Sequence, residues 1–174
     1  MAVLVDPEKS TPESLKEIAS LVQRASIEHI FVGGSLMTSG EMDETLKVLK
    51  DHCEAHLTIF PGSINQINSK ADALFLLSLI SGRNADLLIG KHVEAAPSLR
   101  RSKLEMTPTG YMLVDGGQPT TASYMSNTFP IPRDKEEIAM STAMAGADIA
   151  VVGNAFEQDP NLIVTIAESI HQFA

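Results

Sequence analysis

The sequence predicts a parallel α/β protein in which short apolar strands alternate with amphipathic helices. Six apolar segments each end in a polar or glycine-rich turn, and most are separated by segments whose apolar residues recur at helical spacing. These turns are Asp6, Gly33-Gly34-Ser35, Pro61-Gly62-Ser63, Ser81-Gly82-Arg83-Asn84, Asp115-Gly116-Gly117 and Gly153-Asn154. Because the carboxyl ends of parallel strands meet at one edge of a sheet, the turns are expected to share that edge, where such folds bind ligands.

Chain length bears on the architecture of the predicted sheet. With 174 residues, 44% of them hydrophobic, the chain can bury a core and is expected to form one domain, residues 1–174. An open doubly wound sheet suits about six strands and this length. A closed barrel needs eight strands and usually about 250 residues. The pattern alone therefore favours the open sheet.

The boundaries of the predicted elements follow from apolar spacing and from helix-start signals. Thr11 and Pro12 begin the first helix with a capping hydroxyl and a proline in the first turn. We predict strands over 2–5, 27–32, 57–60, 71–80, 104–114 and 149–152. We predict helices over 12–25, 40–52 and 85–101, a further helix from residue 134, and a last one from about residue 159 to residue 171.

Four irregularities are expected along this pattern. Residues 64–70 form a connection too short and too polar for the usual crossover helix. Pro97 should kink or end the helix over 85–101. Pro108 and Gly110 should introduce a bulge or bend into the fifth strand. Residues 118–133 show no periodicity and are expected to be irregular.

Composition limits the possible partners and the cellular location. The net charge of −9 without a basic run argues against nucleic acid and anionic membranes. A phosphorylated substrate would then need backbone N–H groups or a metal ion. Cys53 is the only cysteine, so neither a disulfide nor a cysteine-based zinc cluster is expected. Without a signal peptide or a long apolar run, the chain is expected to be soluble and cytoplasmic, with no stable membrane anchor.

The candidate chemistry lies at the first two strand ends. Asp6 offers a carboxylate for which the sequence indicates no basic partner, and Ser35 offers a hydroxyl. With the glycine amides, these oxygens suit a hard cation such as Mg²⁺ that also binds substrate phosphates. The two glycines before Ser35 are more simply explained by a tight turn than by a ligand. His52, Cys53 and His56 are interpreted as helix-end residues rather than metal ligands.

Seven strings along the chain resemble the geranylgeranylglyceryl phosphate synthase family. They are Leu4-Val-Asp-Pro-Glu-Lys9, Val32-Gly-Gly-Ser35, Phe60-Pro-Gly-Ser63, Ala71 through Asn84, Pro108-Thr-Gly-Tyr111, Pro130-Ile-Pro-Arg-Asp134 and Gly146 through Asn154. The resemblance implies a modified (β/α)₈ TIM barrel, here incomplete with about six strands, and it overrides the preference for an open sheet. It also implies a homo-oligomer and Mg²⁺-dependent transfer of a polyprenyl group from its diphosphate, geranylgeranyl diphosphate in the family's name, to sn-glycerol 1-phosphate.

The resemblance also assigns the site residues. It places the metal ligands at Asp6 and Ser35 and the amides that bind sn-glycerol 1-phosphate at Gly153 and Asn154. Two β/α units of the family, about sixty residues, have no counterpart between Ala145 and Gly146. The family's acid lies in those units, so no catalytic residue is identified.

Two explanations of the junction at Ala145-Gly146 are open. Either the segment belongs to the protein and is missing from the sequence, or the deletion is real. The exposed strand edges of an incomplete barrel favour the first explanation. The alternatives to the prenyltransferase are another phosphate-binding barrel enzyme and an inactive barrel remnant that only binds ligand.

Overall fold

A five-stranded parallel sheet forms the centre of the computed structural model, which describes residues 2–37, 41–115 and 117–132. The strands lie in chain order, β1-β2-β3-β4-β5, and each pairs in parallel with the next. Their bounds are β1 Ala2–Val5, β2 His29–Val32, β3 His56–Ile59, β4 Ala73–Leu79 and β5 Glu105–Tyr111. The first five predicted strands are therefore confirmed, with small shifts at their ends. The sixth, over 149–152, lies outside the described residues, as do the helices expected from residues 134 and 159.

Helices connect most of the strands. Their bounds are α1 Pro12–Arg24, α2 Glu41–His52, α3 Gly90–Ser102 and α4 Thr121–Met125, and single 3₁₀ turns cover Pro7–Lys9, Ile64–Gln66 and Ala85–Leu87. The connection from β3 to β4 contains only the turn Ile64–Gln66, so its predicted shortness is confirmed. Among the described helices, none combines the length and the apolar character that a membrane span requires.

The start of α1 forms as the sequence indicates. The hydroxyl of Thr11 accepts a hydrogen bond from the Ser14 N–H at 3.2 Å, and the hydroxyl of Ser14 accepts one from the Thr11 N–H at 2.9 Å. This reciprocal capping satisfies two backbone donors that the first helical turn leaves open. Pro12 follows at the first helical position, where a missing N–H is harmless.

The core lies between the sheet and the helices that cover it. The buried apolar residues of α1 and α2 pack with those of the strands in one cluster. Its members include Leu15, Ala19, Val22, Met42, Leu46 and Leu49 from the helices and Val5, Ile30, Val32, Leu57, Ile59 and Leu74 from the strands. No residue of β4 is exposed, which agrees with the prediction that both faces of this apolar strand are covered.

The bulge predicted in β5 is wrong. The residue pairing with β4 is unbroken from Glu105 to Tyr111, through both Pro108 and Gly110. Hydrogen bonds join Glu105 and Tyr111 to residues that flank β4. Along a parallel strand, the N–H and C=O groups of successive residues point to opposite sides. The even-numbered residues between Glu105 and Tyr111 therefore direct their N–H and C=O groups away from β4. The absent N–H of Pro108 therefore costs this ladder nothing.

Two helix predictions also need correction. Asn84 caps only the 3₁₀ turn Ala85–Leu87, and α3 begins separately at Gly90. Pro97 does not end α3, which continues to Ser102.

The region over 118–133, predicted to be irregular, contains the short helix α4. Its start is capped by Thr120 and Ser123 in the same reciprocal way as α1. A capping pair outweighed the lack of apolar periodicity there.

Asp72 ties together three strands at the amino end of the sheet. Its carboxylate accepts hydrogen bonds from the Leu57 N–H at 2.9 Å and from Lys50 at 2.8 Å, and its carbonyl accepts one from the Glu105 N–H at 3.3 Å. Partial burial raises the pKa of this carboxyl, but Lys50 and the Leu57 N–H outweigh it and hold the pKa below its usual value.

We expect Asp72→Ala to lower the free energy of unfolding at pH 7 by about 1–3 kcal/mol, because the partly buried Leu57 N–H loses its acceptor. A carboxyl whose pKa is lower in the folded state stabilises the fold at pH values above its unfolded pKa of about 3.9. That contribution is lost as the pH falls through the folded pKa. The difference between parent and variant should therefore shrink between pH 7 and pH 3 in urea titrations.

Asp43→Ala is the matched control for Asp72→Ala. Asp43 also pairs with a lysine, Lys70, but it is exposed, and its carboxylate accepts hydrogen bonds from the side chains of Lys70 and Asn68. Exposed pairs of this kind contribute little to stability. Equal losses in the two variants would show that the Leu57 N–H is not what makes Asp72 important.

Candidate functional site

Asp6 lies at the carboxyl end of β1, against the end of β2. Its Oδ1 accepts a hydrogen bond from the Glu8 N–H at 3.1 Å, which caps the following 3₁₀ turn. The same oxygen faces Gly34, where an added β-carbon would lie only 2.9 Å from it. The expectation that Asp6 lacks a basic neighbour is wrong, because Lys9 Nζ lies 3.3 Å from Oδ2. Lys9 is 83% exposed, so this ion pair is weak and can open without a large cost.

The ends of β2 and β3 pack backbone against backbone. A β-carbon at Gly33 would overlap the carbonyl group of Phe60. One at Gly62 would lie 2.8 Å from the carbonyl oxygen of Ser35 and closer still to that of Gly34. Neither Gly33 nor Gly34 has a positive φ. These glycines therefore serve the close approach of two strand ends, rather than a tight turn that needs left-handed backbone.

Gln66 joins these two strand ends from within the short β3–β4 connection. Its side chain is only 2% exposed. Its Oε1 accepts a hydrogen bond from the Gly62 N–H at 2.9 Å, and its Nε2 donates one to the Gly34 carbonyl at 2.8 Å. We did not predict this residue from the sequence. The available signal was the shortness of the connection, which keeps its residues close to the strand ends.

Asp6 and Ser35 together fit a hard cation. Gly34, which contacts the Asp6 carboxylate, immediately precedes Ser35 in the chain. The Ser35 hydroxyl makes no hydrogen bond to any residue that the structure describes, and Ser35 is half-buried. One carboxylate and one hydroxyl on adjacent strand ends are the kind of sparse oxygen set that Mg²⁺ uses when substrate phosphates and water complete its shell. Within the described residues, no group of three or more His, Cys, Asp or Glu side chains could hold a metal alone.

The ends of β4 and β5 are tied to the segment that contains α4. Ser81 is buried, and its hydroxyl accepts a hydrogen bond from the Leu113 N–H at 2.9 Å. Asn84 donates a hydrogen bond to the Ser126 carbonyl. Gly82 has a φ of +79° and lies against Thr128, leaving no room for a β-carbon. Side-chain and backbone contacts therefore hold residues 126–128 against the end of β4.

Four aromatic side chains form a row across strands β2 to β5. Phe31 and Phe60 both contact Phe75, with ring centroids 4.8 and 5.7 Å apart, and Phe60 contacts Tyr111 at 6.0 Å. All three contacts are edge-to-face, the arrangement that aromatic rings prefer. Burial raises the pKa of Tyr111, so its hydroxyl stays protonated at neutral pH.

The structure brings together only some of the residues predicted for the site. Asp6 and Ser35 lie on adjacent strand ends, whereas Gly153 and Asn154 lie outside the described residues. His52 Nδ1 lies 2.8 Å from the Val48 carbonyl, and the Cys53 thiol donates to the Leu49 carbonyl at 3.3 Å. Both residues thus contact α2 near its end, as their interpretation as helix-end residues requires. The same interpretation of His56 is wrong, because His56 begins β3 and its ring contacts that of His29.

Comparison with known proteins identifies relatives along most of the chain. The model of the PcrB family matches residues 1–147. A geranylgeranylglyceryl phosphate synthase of Chitinophaga pinensis is 39% identical over 228 residues, covering 99% of this chain and 90% of that protein. One of Spirosoma linguale is 35% identical over 227 residues, covering 99% of this chain and 91% of that protein. Both alignments are longer than the 174 residues of the chain, so these relatives carry residues without a counterpart here.

Solved structures agree with the fold. Wild-type GGGPS from Thermoplasma volcanium superimposes with a TM-score of 0.73 at 29% identity, covering 83% of this chain and 57% of that one. The Thermoplasma acidophilum (S)-3-O-geranylgeranylglyceryl phosphate synthase, solved with sn-glycerol-1-phosphate, has a TM-score of 0.73 at 35% identity, covering 83% and 58%. The chain thus spans little more than half the length of these structures. Its likeness to them confirms the predicted modified TIM-barrel class rather than an open doubly wound sheet.

The several matches agree in kind. The family model covers residues 1–147, which include β1 to β5 and the strand ends that carry Asp6 and Ser35, and the Chitinophaga pinensis relative covers 99% of the chain. The resemblance seen in the sequence motifs is therefore confirmed, and the chain belongs to the PcrB family.

Proposed function

We propose that this protein is a Mg²⁺-dependent prenyltransferase that joins a polyprenyl group, from its diphosphate, to sn-glycerol 1-phosphate. Relatives named geranylgeranylglyceryl phosphate synthase support the reaction class, and the relative solved with sn-glycerol-1-phosphate supports the acceptor. In this reaction the bond between the prenyl C1 and the diphosphate oxygen breaks. A bond from C1 to the glycerol hydroxyl oxygen forms, and the hydroxyl proton and diphosphate leave.

The observation that carries the proposal is the contact between Asp6 and Gly34 at the ends of β1 and β2. It places the Asp6 carboxylate beside the residue that precedes Ser35, at the carboxyl edge of the sheet, where such folds bind ligands. Asp6 and Ser35 would hold the cation. When bound, Mg²⁺ would neutralise charge on the diphosphate leaving group, a role that so acidic a chain cannot fill with basic residues alone.

The acceptor phosphate is assigned to a different strand end. Gly153 and Asn154 follow the predicted sixth strand, and their amides would bind the phosphate of sn-glycerol 1-phosphate. Backbone N–H groups at such a turn bind a dianion without lysine or arginine. This assignment rests on the sequence motif Gly146 through Asn154.

The prenyl chain needs an apolar surface that leads away from the strand ends. Residues near the start of α3 offer one, because Leu88, Ile89 and Val93 are 41–68% exposed. Leu36 and Ile64 are also exposed, whereas Leu79 is buried and offers no such surface. We further propose a homo-oligomer in the cytoplasm, which the exposed apolar residues of this region would help to form.

A second candidate function is binding without turnover. It is favoured by one observation, the residues of the Chitinophaga pinensis relative that have no counterpart in this shorter chain. If those residues include the family's acid, the chain would bind sn-glycerol 1-phosphate without forming product. Incubation with geranylgeranyl diphosphate, sn-glycerol 1-phosphate and Mg²⁺, with product detected by mass spectrometry, separates the two candidates.

We expect Asp6→Asn to reduce product formation at least about 100-fold, because the amide keeps the cap of the Glu8 N–H but loses the charge that binds Mg²⁺. Circular dichroism should show an unchanged fold. Asp51→Asn, which neutralises an exposed carboxylate of α2, is the control and should retain activity. Undiminished turnover in Asp6→Asn would remove Asp6 from the metal site.

We expect Gly153→Val to weaken binding of sn-glycerol 1-phosphate at least about 10-fold in calorimetry, because the side chain keeps the phosphate from the backbone amides. Gly110→Val is the control, since a β-carbon there would meet only the flexible end of the Ile80 side chain. Equal affinity in the Gly153 variant and the parent would place the phosphate elsewhere. If the parent has no affinity, both candidate functions are wrong for this chain.

A further inference from the structure

Gln66 is the most deeply buried polar side chain of the described residues, although it lies in a polar surface connection. Burying an amide without partners is costly, so its hydrogen bonds account for its position. It uses one oxygen and one nitrogen, and each has a single backbone partner, Gly62 and Gly34 respectively.

The orientation of this amide is fixed by its partners. The Gly62 N–H can only donate and the Gly34 carbonyl can only accept, so Oε1 must face Gly62 and Nε2 must face Gly34. A flipped amide would leave both backbone groups without a bond. Glutamine is therefore required here for its combination of one donor and one acceptor, and no aliphatic residue of similar size supplies either.

The contacts of Gln66 lead directly to the proposed metal ligands. The Gly34 carbonyl accepts the hydrogen bond from Gln66. Gly34 also directly precedes Ser35 in the chain and lies against the Asp6 carboxylate. On the other side, Gly62 packs on the carbonyl oxygens of Gly34 and Ser35. A shift of the β2 end would therefore move Ser35 relative to Asp6, and the Gln66 amide opposes that shift.

We propose that Gln66 is a positioning residue for the cation site, holding the end of β2 so that Asp6 and Ser35 bind one metal ion together with a diphosphate. The inference rests on the proposed function. Gln66 does not touch the ion in this arrangement. It acts through the Gly34 carbonyl, as residues behind metal ligands commonly do when they fix ligand geometry.

The test measures binding of Mn²⁺ in the presence of inorganic pyrophosphate, by electron paramagnetic resonance of the free ion. We expect Gln66→Met to weaken this binding at least about 10-fold, the lower end of the effect of residues behind metal ligands. Amide hydrogen exchange at Gly62 should accelerate in the same variant, because its N–H loses Oε1. Gln23→Met, the same change at an exposed position of α1, should alter neither quantity.

A purely structural role is distinguished by a variant of comparable instability. Asp72→Ala loosens the amino end of the sheet without touching the carboxyl ends of β1 to β3, so it should bind Mn²⁺ and pyrophosphate like the parent. Equal weakening in Asp72→Ala and Gln66→Met would overturn the positioning role. If Gln66→Met does not fold, Gln66→Glu keeps the acceptor for Gly62 and replaces the donor to Gly34 by a carboxylate oxygen that repels the Gly34 carbonyl.

The remaining outcomes separate this inference from the proposed function. If a folded Gln66→Met or Gln66→Glu variant binds Mn²⁺ with pyrophosphate as tightly as the parent does, the role of Gln66 is refuted. The metal site itself would not be contradicted by that result. A parent chain that binds no Mn²⁺ with pyrophosphate, while Gly62 exchange still depends on Gln66, would refute the metal site itself and with it any role of Gln66 there.

Discussion

The carboxyl ends of β2 and β3 approach so closely that no side chain fits between them, and the rest of the site depends on this contact. Gly33 lies on the Phe60 carbonyl group, and Gly62 lies on the carbonyl oxygens of Gly34 and Ser35. Backbone groups this close and away from water need hydrogen-bond partners. Gln66 supplies two of them, and the resulting position of Gly34 sets where Ser35 lies relative to Asp6.

The short connection after β3 has a function that its composition conceals. A regular crossover helix would carry the chain away from the strand ends before it returned to β4. The single 3₁₀ turn Ile64–Gln66 instead keeps the chain beside them, which allows Gln66 to reach both Gly62 and Gly34. The departure from the regular β/α repeat is thus what supports the ends of β2 and β3.

The acidity of the chain constrains how it can bind anionic ligands. Its net charge is −9, and among the described residues Lys9 is the basic side chain that pairs with Asp6. Backbone amides at glycine-rich strand ends and a divalent cation are then the remaining means of binding phosphates. Membership of the PcrB family agrees with this chemistry, since the solved relative from Thermoplasma acidophilum contains sn-glycerol-1-phosphate.

The sequence by itself determined the parallel α/β class and the first five strands, and it placed Asp6 and Ser35 at neighbouring strand ends, where their role as metal ligands stays a prediction. Those features depend on local signals, namely apolar runs, caps such as Thr11 with Pro12, and polar residues at strand ends. Tertiary structure decided the rest. The contact of Lys9 with Asp6 spans only three residues and depends on the 3₁₀ turn Pro7–Lys9. The fit of Gly33 and Gly62 against neighbouring backbone, the Gln66 bridge and the unbulged path through Pro108 depend on residues distant in the chain or on strand direction. A local pattern carries no information about such contacts, because their energy comes from partners that only folding brings together.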